Sequence, residues 1–126
     1  MASWTTEELD AIGDAEELRI RSRRADDTLR NPVIIWVVRV DDALYVRAVG
    51  GPESPWFRGT QTRHEGHISA GGVERDVTFA SVDPSLHDAI DRAYRTKYAH
   101  QPVQYVDPCV TPQAQAATLE LIPSGI

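Results

Sequence analysis

Two β-branched runs separated by a pair of aspartates constrain the fold of this chain more than any other feature. Val33–Val40 reads VIIWVVRV and Leu44–Val49 reads LYVRAV. The first run has the composition of a central strand covered on both faces. Asp41-Asp42 supply a tight turn, so Ile34–Val40 and Leu44–Val49 are predicted to form an antiparallel hairpin. Val33–Val38, the longest apolar run, has six residues, against about 20 for a membrane-crossing helix. It therefore belongs to a sheet core, and no membrane association is expected.

The remaining elements follow from periodicity and breakers. Trp4–Ala11 reads as a short helix capped by Thr5 or Thr6, with Glu7 and Glu8 in the first turn and Gly13 as its stop. Glu17–Arg23 alternates with period 2, placing Leu18, Ile20 and Ser22 on one face and Arg19, Arg21 and Arg23 on the other. Ala25–Pro32 is a polar loop. Ser54-Pro55 opens a helix running to about Arg63, with Gly66 expected to end it. His67–Ala70 and Val73–Val82 are predicted to pair across Gly71-Gly72. Asp83-Pro84 starts an amphipathic helix whose stripe is Leu86, Ala89, Ile90, Ala93, Tyr94 and Lys97. A helical turn at Pro108 or Pro112 and a strand over Thr118–Ile122 complete the chain. About six short strands with sequential pairings and flanking helices define a mainly β, α+β chain built as a small antiparallel barrel.

A length of 126 residues suits one domain, residues 1–126. With 41% hydrophobic and 25% charged residues the chain is neither low-complexity nor too polar to fold. No secretory signal is visible at the acidic amino terminus. The single cysteine, Cys109, gives no intramolecular disulfide, so a reduced cytoplasm is the expected location. A net charge of −6 opposes nucleic-acid binding.

Twelve of the 13 basic residues are arginine, and Arg19, Arg21, Arg23, Arg24 and Arg30 crowd into one short stretch. Two readings stand side by side: the base composition of a GC-rich genome, or guanidinium forks gathered round an anionic small molecule. His64 and His67 lack the i, i+4 spacing of a helical zinc site, and no metal centre is expected. His87 and Asp91, four apart on a helix, read as a hydrogen-bonded pair rather than a catalytic one. Cys109 has no recognisable partner base, and no serine sits in a nucleophile elbow. Trp36 to Arg58 is more suggestive. Trp36 lies on a strand, Tyr45 and Arg47 on one face of its partner, and Trp56 and Arg58 at a helix start. Such a group could stack on a flat ligand and hold its phosphate, or could be ordinary amphipathic packing.

The segments LRNPVIIWVV, LYVRA, PWFRG, GGVERDVTF and AYRTKY resemble an uncharacterised bacterial family, common in actinomycetes, of the flavin-binding split-barrel superfamily. The likeness spans about residues 4–122. It implies a split barrel that binds FMN, or a deazaflavin coenzyme in a nitroreductase-like branch, commonly at a homodimer interface. Arg30 resembles the basic residue that holds the cofactor phosphate ahead of a strand. Pro55-Trp56-Phe57-Arg58-Gly59 resembles a P-x-W-[FY]-x-N motif but lacks the spacer and the Asn. Arg23–Arg30 stands where the deazaflavin branch has a G-x-x-S-G-x-x-R loop and lacks both glycines. The resemblance implies that Arg24, Arg30, Arg47 and Arg58 neutralise the acidic part of the cofactor, while Trp36 or Trp56 lines its ring. The implied function is an oxidoreductase acting on a small organic molecule. The alternative is a cofactor-free barrel that binds an acidic metabolite, as a carrier or as a cyclase or isomerase of a natural-product pathway. A structural oligomer without ligand is a third reading.

Overall fold

In the computed structural model, residues 3–124 are described. Thr5 caps the first helix, α1 (Thr6–Asp14), in a reciprocal capping box. Its Oγ1 accepts from the Glu8 backbone N–H at 3.1 Å, and the Glu8 carboxylate accepts from the Thr5 N–H at 2.9 Å. The helix continues through Gly13, contrary to the stop expected there. Seven strands follow: β1 (Leu18–Ser22), β2 (Val33–Ile35), β3 (Val37–Val40), β4 (Ala43–Arg47), β5 (Glu65–Ala70), β6 (Val73–Ser81) and β7 (Thr118–Pro123). Helix α2 (Pro55–Arg63) separates β4 from β5. A 3-10 turn (Pro84–Leu86), α3 (His87–Lys97), α4 (Val103–Val106), a second 3-10 turn (Asp107–Val110) and α5 (Pro112–Gln115) precede β7.

All neighbouring strands are antiparallel, in the order β2-β1-β5-β6-β7-β4-β3. The two outer strands of this sheet, β2 and β3, are separated in sequence by Trp36 alone. A single extended segment thus forms both edges, and the sheet curls into a nearly closed, mainly β barrel with flanking helices. This corrects the reading of Val33–Val40 as one central strand. Its first half pairs with β1, Ile34 opposite Arg19, while its second half pairs with β4, Val38 opposite Tyr45. The predicted hairpin is therefore Val37–Val40 with Ala43–Arg47, turning at Asp41-Asp42. Burial follows the same division: Val37 and Val38 are fully covered, whereas Ile34 is 53% exposed.

The barrel interior is filled by alternating residues of the strands, Leu18, Ile20, Leu44, Val46, Ile68, Val77, Phe79 and Leu121 among them, with Leu9 and Ile12 of α1 against them. A second cluster lies outside β3 and β4, where Val38 and Tyr45 pack on Ile90, Tyr94 and Tyr98 of the α3 region and on Val106 and Cys109. Gly71 and Gly72 both have positive φ and form the two-residue turn between β5 and β6. Helix α2 ends at His64, in the left-handed conformation (φ 57°), rather than at Gly66. Gly66 instead lies inside β5, where a Cβ would run into the Arg21 carbonyl and the Phe79 ring. No helix among the described residues is long and apolar enough to cross a membrane.

Candidate functional site

The bend that splits β2 from β3 also forms a trench. It is lined by Val33, Ile34, Ile35 and Trp36 of the bend, by Val49 and Gly50 of the β4–α2 connection and by Trp56 of α2. Arg47, Tyr94 and Cys109 form the floor, and Gln104, Tyr105 and Pro108 the lip. The trench encloses about 460 Å³, within the range that holds a small organic ligand. A larger concavity of about 680 Å³ lies against β5 and β6, and both of its guanidiniums already have carboxylate partners. Arg23 lies 3.5 Å from Asp76, and His67 sits between Asp76 (2.9 Å) and Glu74 (3.2 Å).

Three predicted site residues meet at the trench: Trp36, Arg47 and Trp56. Trp36 is held by stacking on Tyr98, ring centroids 3.9 Å apart at an interplanar angle of 6°. Tyr98 is itself fixed, its hydroxyl donating to the Glu16 carbonyl at 2.8 Å and lying 3.2 Å from the Val37 backbone N–H. Trp56 enters at the second residue of α2, immediately after the Pro55 that sets the helix start.

Arg30 adjoins the same trench through a small cleft shared with Val33 and Trp56, and lines a basin of about 350 Å³ with Arg58. Its Nη1 donates to the carbonyls of Arg23 (2.9 Å) and Gly59 (3.3 Å) and to Ser22 Oγ (3.3 Å). Among the described residues neither Arg30 nor Arg58 has a carboxylate partner, whereas Arg23, Arg39, Arg63, Arg75 and Arg95 do. Arg24 lines neither the trench nor this basin; its guanidinium donates to Thr28 Oγ1 (3.2 Å) and the Leu29 carbonyl (3.1 Å) of its own loop.

Arg47 occupies a different environment from the other candidates. Its side chain is 0% exposed, and it pairs with Asp91 of α3 while donating to the Cys109 carbonyl (2.9 Å) and Thr118 Oγ1 (2.9 Å). His87 Nδ1 lies 3.4 Å away. The two residues read as a hydrogen-bonded pair on α3 thus both face Arg47. The floor of the trench carries no uncompensated charge. Burial, with the Cys109 sulfur adding and Arg47 opposing, holds the Tyr94 phenol above its ordinary range. Burial likewise pushes the Cys109 thiol up to about 11, so both are neutral donors near pH 7.

Tyr94, Tyr105 and Cys109 were not among the predicted ligand contacts. Tyr94 lies on the apolar stripe of α3 and reads as core, and its burial agrees with that. Tyr105 belongs to a run of one-turn helices with no periodic pattern. Among the described residues no group of three His, Cys, Asp or Glu could hold a metal ion.

Barrel, closing bend and apolar trench together define a protein of the split-barrel class. Known structures of low sequence identity share the fold. A candidate pyridoxamine 5'-phosphate oxidase from Listeria innocua aligns with a TM-score of 0.63 at 11% identity, over 94% of this chain and 92% of that one. An F420 reductase aligns with a TM-score of 0.57 at 13% identity, over 93% of each. An FAD-binding protein from Mesorhizobium loti aligns with a TM-score of 0.60 at 10% identity, over 98% and 92%. No curated protein matches the sequence. The chain belongs to the family described as uncharacterized protein conserved in bacteria (DUF2255), which matches residues 8–121.

Proposed function

We propose that the protein binds a flavin or deazaflavin coenzyme in the trench and works as a nitroreductase-like oxidoreductase on a small organic molecule. The observation that carries this reading is a mainly apolar trench lined by both Trp36 and Trp56 and joined through a small cleft to Arg30, which shares a neighbouring basin with Arg58; neither arginine has a carboxylate partner among the described residues. The residues fit such a group. An aromatic and aliphatic slot suits a planar ring, and guanidinium forks suit a phosphate or acidic tail. The coenzyme supplies hydride transfer. Trp36, braced by Tyr98, and Trp56 hold a ring in position and exclude water. Arg30, itself anchored on Ser22, Arg23 and Gly59, orients an anionic tail. Arg47, compensated by Asp91, braces the floor.

A homodimer is part of the same proposal. Ile34, Val49, Val103 and Tyr105 are 47–62% exposed, and three of them border the trench. An apolar surface of this kind suits cover by a second copy. The reduced cytoplasm remains the expected setting for the buried Cys109 thiol. A second reading, a cofactor-free barrel for an acidic metabolite, is favoured by the Arg23–Arg30 loop, which has no glycine to bring backbone N–H groups round a phosphate.

Titration of the purified protein with FMN and with the deazaflavin coenzyme, followed by tryptophan fluorescence, tests the proposal. Binding at about micromolar Kd, roughly −8 kcal/mol, is expected, weakened by Arg30→Ala and Arg58→Ala. Absence of binding of either at about 100 µM, roughly −5.5 kcal/mol, refutes it. Sedimentation equilibrium reads the subunit number.

A further inference from the structure

Among the described residues the Tyr94 hydroxyl is the one buried side-chain polar atom with no hydrogen-bond partner. Buried polar groups are almost always paired, and an orphan weakens the fold that carries it. The Arg47 backbone N–H faces this oxygen without completing a hydrogen bond and can only donate, so the hydroxyl's own proton has no acceptor; the side chains of the trench floor are engaged elsewhere. Arg47 donates to Asp91, Cys109 and Thr118, and the Cys109 thiol points its weak donor at the Tyr105 carbonyl, 3.7 Å away. A phenylalanine would fill the same space without the orphan, so the packing of α3 gives no reason for the hydroxyl. The ring stands 1% exposed at the base of an open trench.

We propose that the Tyr94 hydroxyl donates a hydrogen bond to a neutral carbonyl oxygen on the ring head of the ligand, fixing how deep and which way round the ligand sits. The chemistry of the floor selects this acceptor. Arg47 is already neutralised by Asp91, so a carboxylate or phosphate at the floor would meet no free cation. The guanidiniums without carboxylate partners, Arg30 and Arg58, lie outside the floor, Arg30 in the cleft beside Val33 and Trp56 and Arg58 in the basin beyond it. The ligand class is therefore a flat, carbonyl-bearing head joined to an anionic tail, with the head against Tyr94. Because the hydroxyl is covered, the carbonyl reaches it as the lip over Val103–Val110 eases outward. That segment is made of a single-turn helix and a 3-10 turn, and its movement uncovers Val106 and Cys109 and strains the Arg47 bond to the Cys109 carbonyl, so the opening is brief and part of the binding energy offsets it. This assignment rests on a ring-bearing coenzyme occupying the trench.

Fluorescence titrations with FMN, riboflavin and the deazaflavin coenzyme, on the wild type, Tyr94→Phe and Arg30→Ala, separate the two claims. Riboflavin carries the ring without the phosphate. Tyr94→Phe is expected to weaken FMN and riboflavin alike, by about tenfold, whereas Arg30→Ala weakens FMN alone. The ligand-free Tyr94→Phe protein is expected to melt at or above the wild-type temperature. If Tyr94→Phe binds every probe as the wild type does while Arg30→Ala still loses FMN, the role of Tyr94 is overturned and the coenzyme reading stands. A melting temperature clearly below wild type also overturns it, because the hydroxyl then has a partner within the protein. No binding of FMN or the deazaflavin coenzyme to the wild type overturns both.

Discussion

Removing Asp91 leaves the Arg47 guanidinium buried without its counter-ion. The Arg47 side chain is 0% exposed and that of Asp91 24%. Gln115 Nε2 also donates to Asp91 Oδ2 at 3.0 Å. Deleting one partner of a buried pair costs about 3–5 kcal/mol. Partial solvent access at Asp91 lets water approach the orphaned charge, which puts Asp91→Ala at the lower end, about 3 kcal/mol. An unfolding entropy of about 2.1 cal/mol/K per residue gives roughly 0.26 kcal/mol per degree for a chain of this length, so Tm falls by about 11 °C. Asp91→Asn, which keeps an acceptor but not the charge, is expected to cost about half as much. Arg47→Met with Asp91→Leu replaces the pair by apolar groups and returns stability to within about 1 kcal/mol of wild type. Scanning calorimetry at pH 7, with urea unfolding followed by tryptophan fluorescence, reads all four proteins. A drop below about 3 °C for Asp91→Ala, under roughly 1 kcal/mol, would show that Arg47 does not depend on this pair.

Three further outcomes are expected. Gly66→Ala forces a methyl group against the Arg21 carbonyl and to 2.8 Å from the Phe79 ring; overpacking here costs about 3 kcal/mol and is read by urea unfolding. Burial lowers Lys97 from 10.5 to about 8. The unfolded chain therefore binds more protons there between pH 8 and 10.5, and Lys97 makes stability rise with pH across that window. The raised Cys109 thiol opposes the rise from about pH 9, and the raised Tyr94 and Tyr98 phenols from about pH 10. Melting curves at pH 7.5 and 9.5 are expected to show a wild-type gain that Lys97→Met lacks, and equal gains in both would contradict the assignment. Cys109, 3% exposed and with its thiol held up near 11, is expected to react with an aromatic disulfide reagent far more slowly in the native protein than in urea; equal rates would place the thiol in solvent.

Local features were legible without the fold. The alternation of Leu18, Ile20 and Ser22, the glycine pair at 71–72, the Thr5 cap and the proline starts at Pro55 and Pro84 are each decided by neighbours a few residues away, and the structure keeps them. The hairpins at Asp41-Asp42 and Gly71-Gly72 followed from their turns, whereas the pairings of β1 with β5 and of β4 with β7 join strands far apart in the sequence. Gly13 and Gly66 were misread as helix stops because a glycine marks either a break or a close approach. Gly66 is set by Arg21 and Phe79, which are distant in sequence.

What the sequence determined by itself is therefore a mainly β chain with these turns and caps, and arginines and tryptophans in the region where a ligand could lie. Tertiary structure decided which of them meet. A continuous β-branched run cannot record that Val33–Val40 changes partner at Trp36, because both halves have the same composition. It is this change that nearly closes the barrel and opens the trench. Arg47 reads as a cation for an acidic ligand until α3 brings Asp91 onto it from 44 residues away. Tyr94 reads as core, and only the packed fold shows that its hydroxyl has no partner. Charge compensation and hydrogen-bond satisfaction are properties of groups distant in sequence, and the chain acquires them only when the sheet curls.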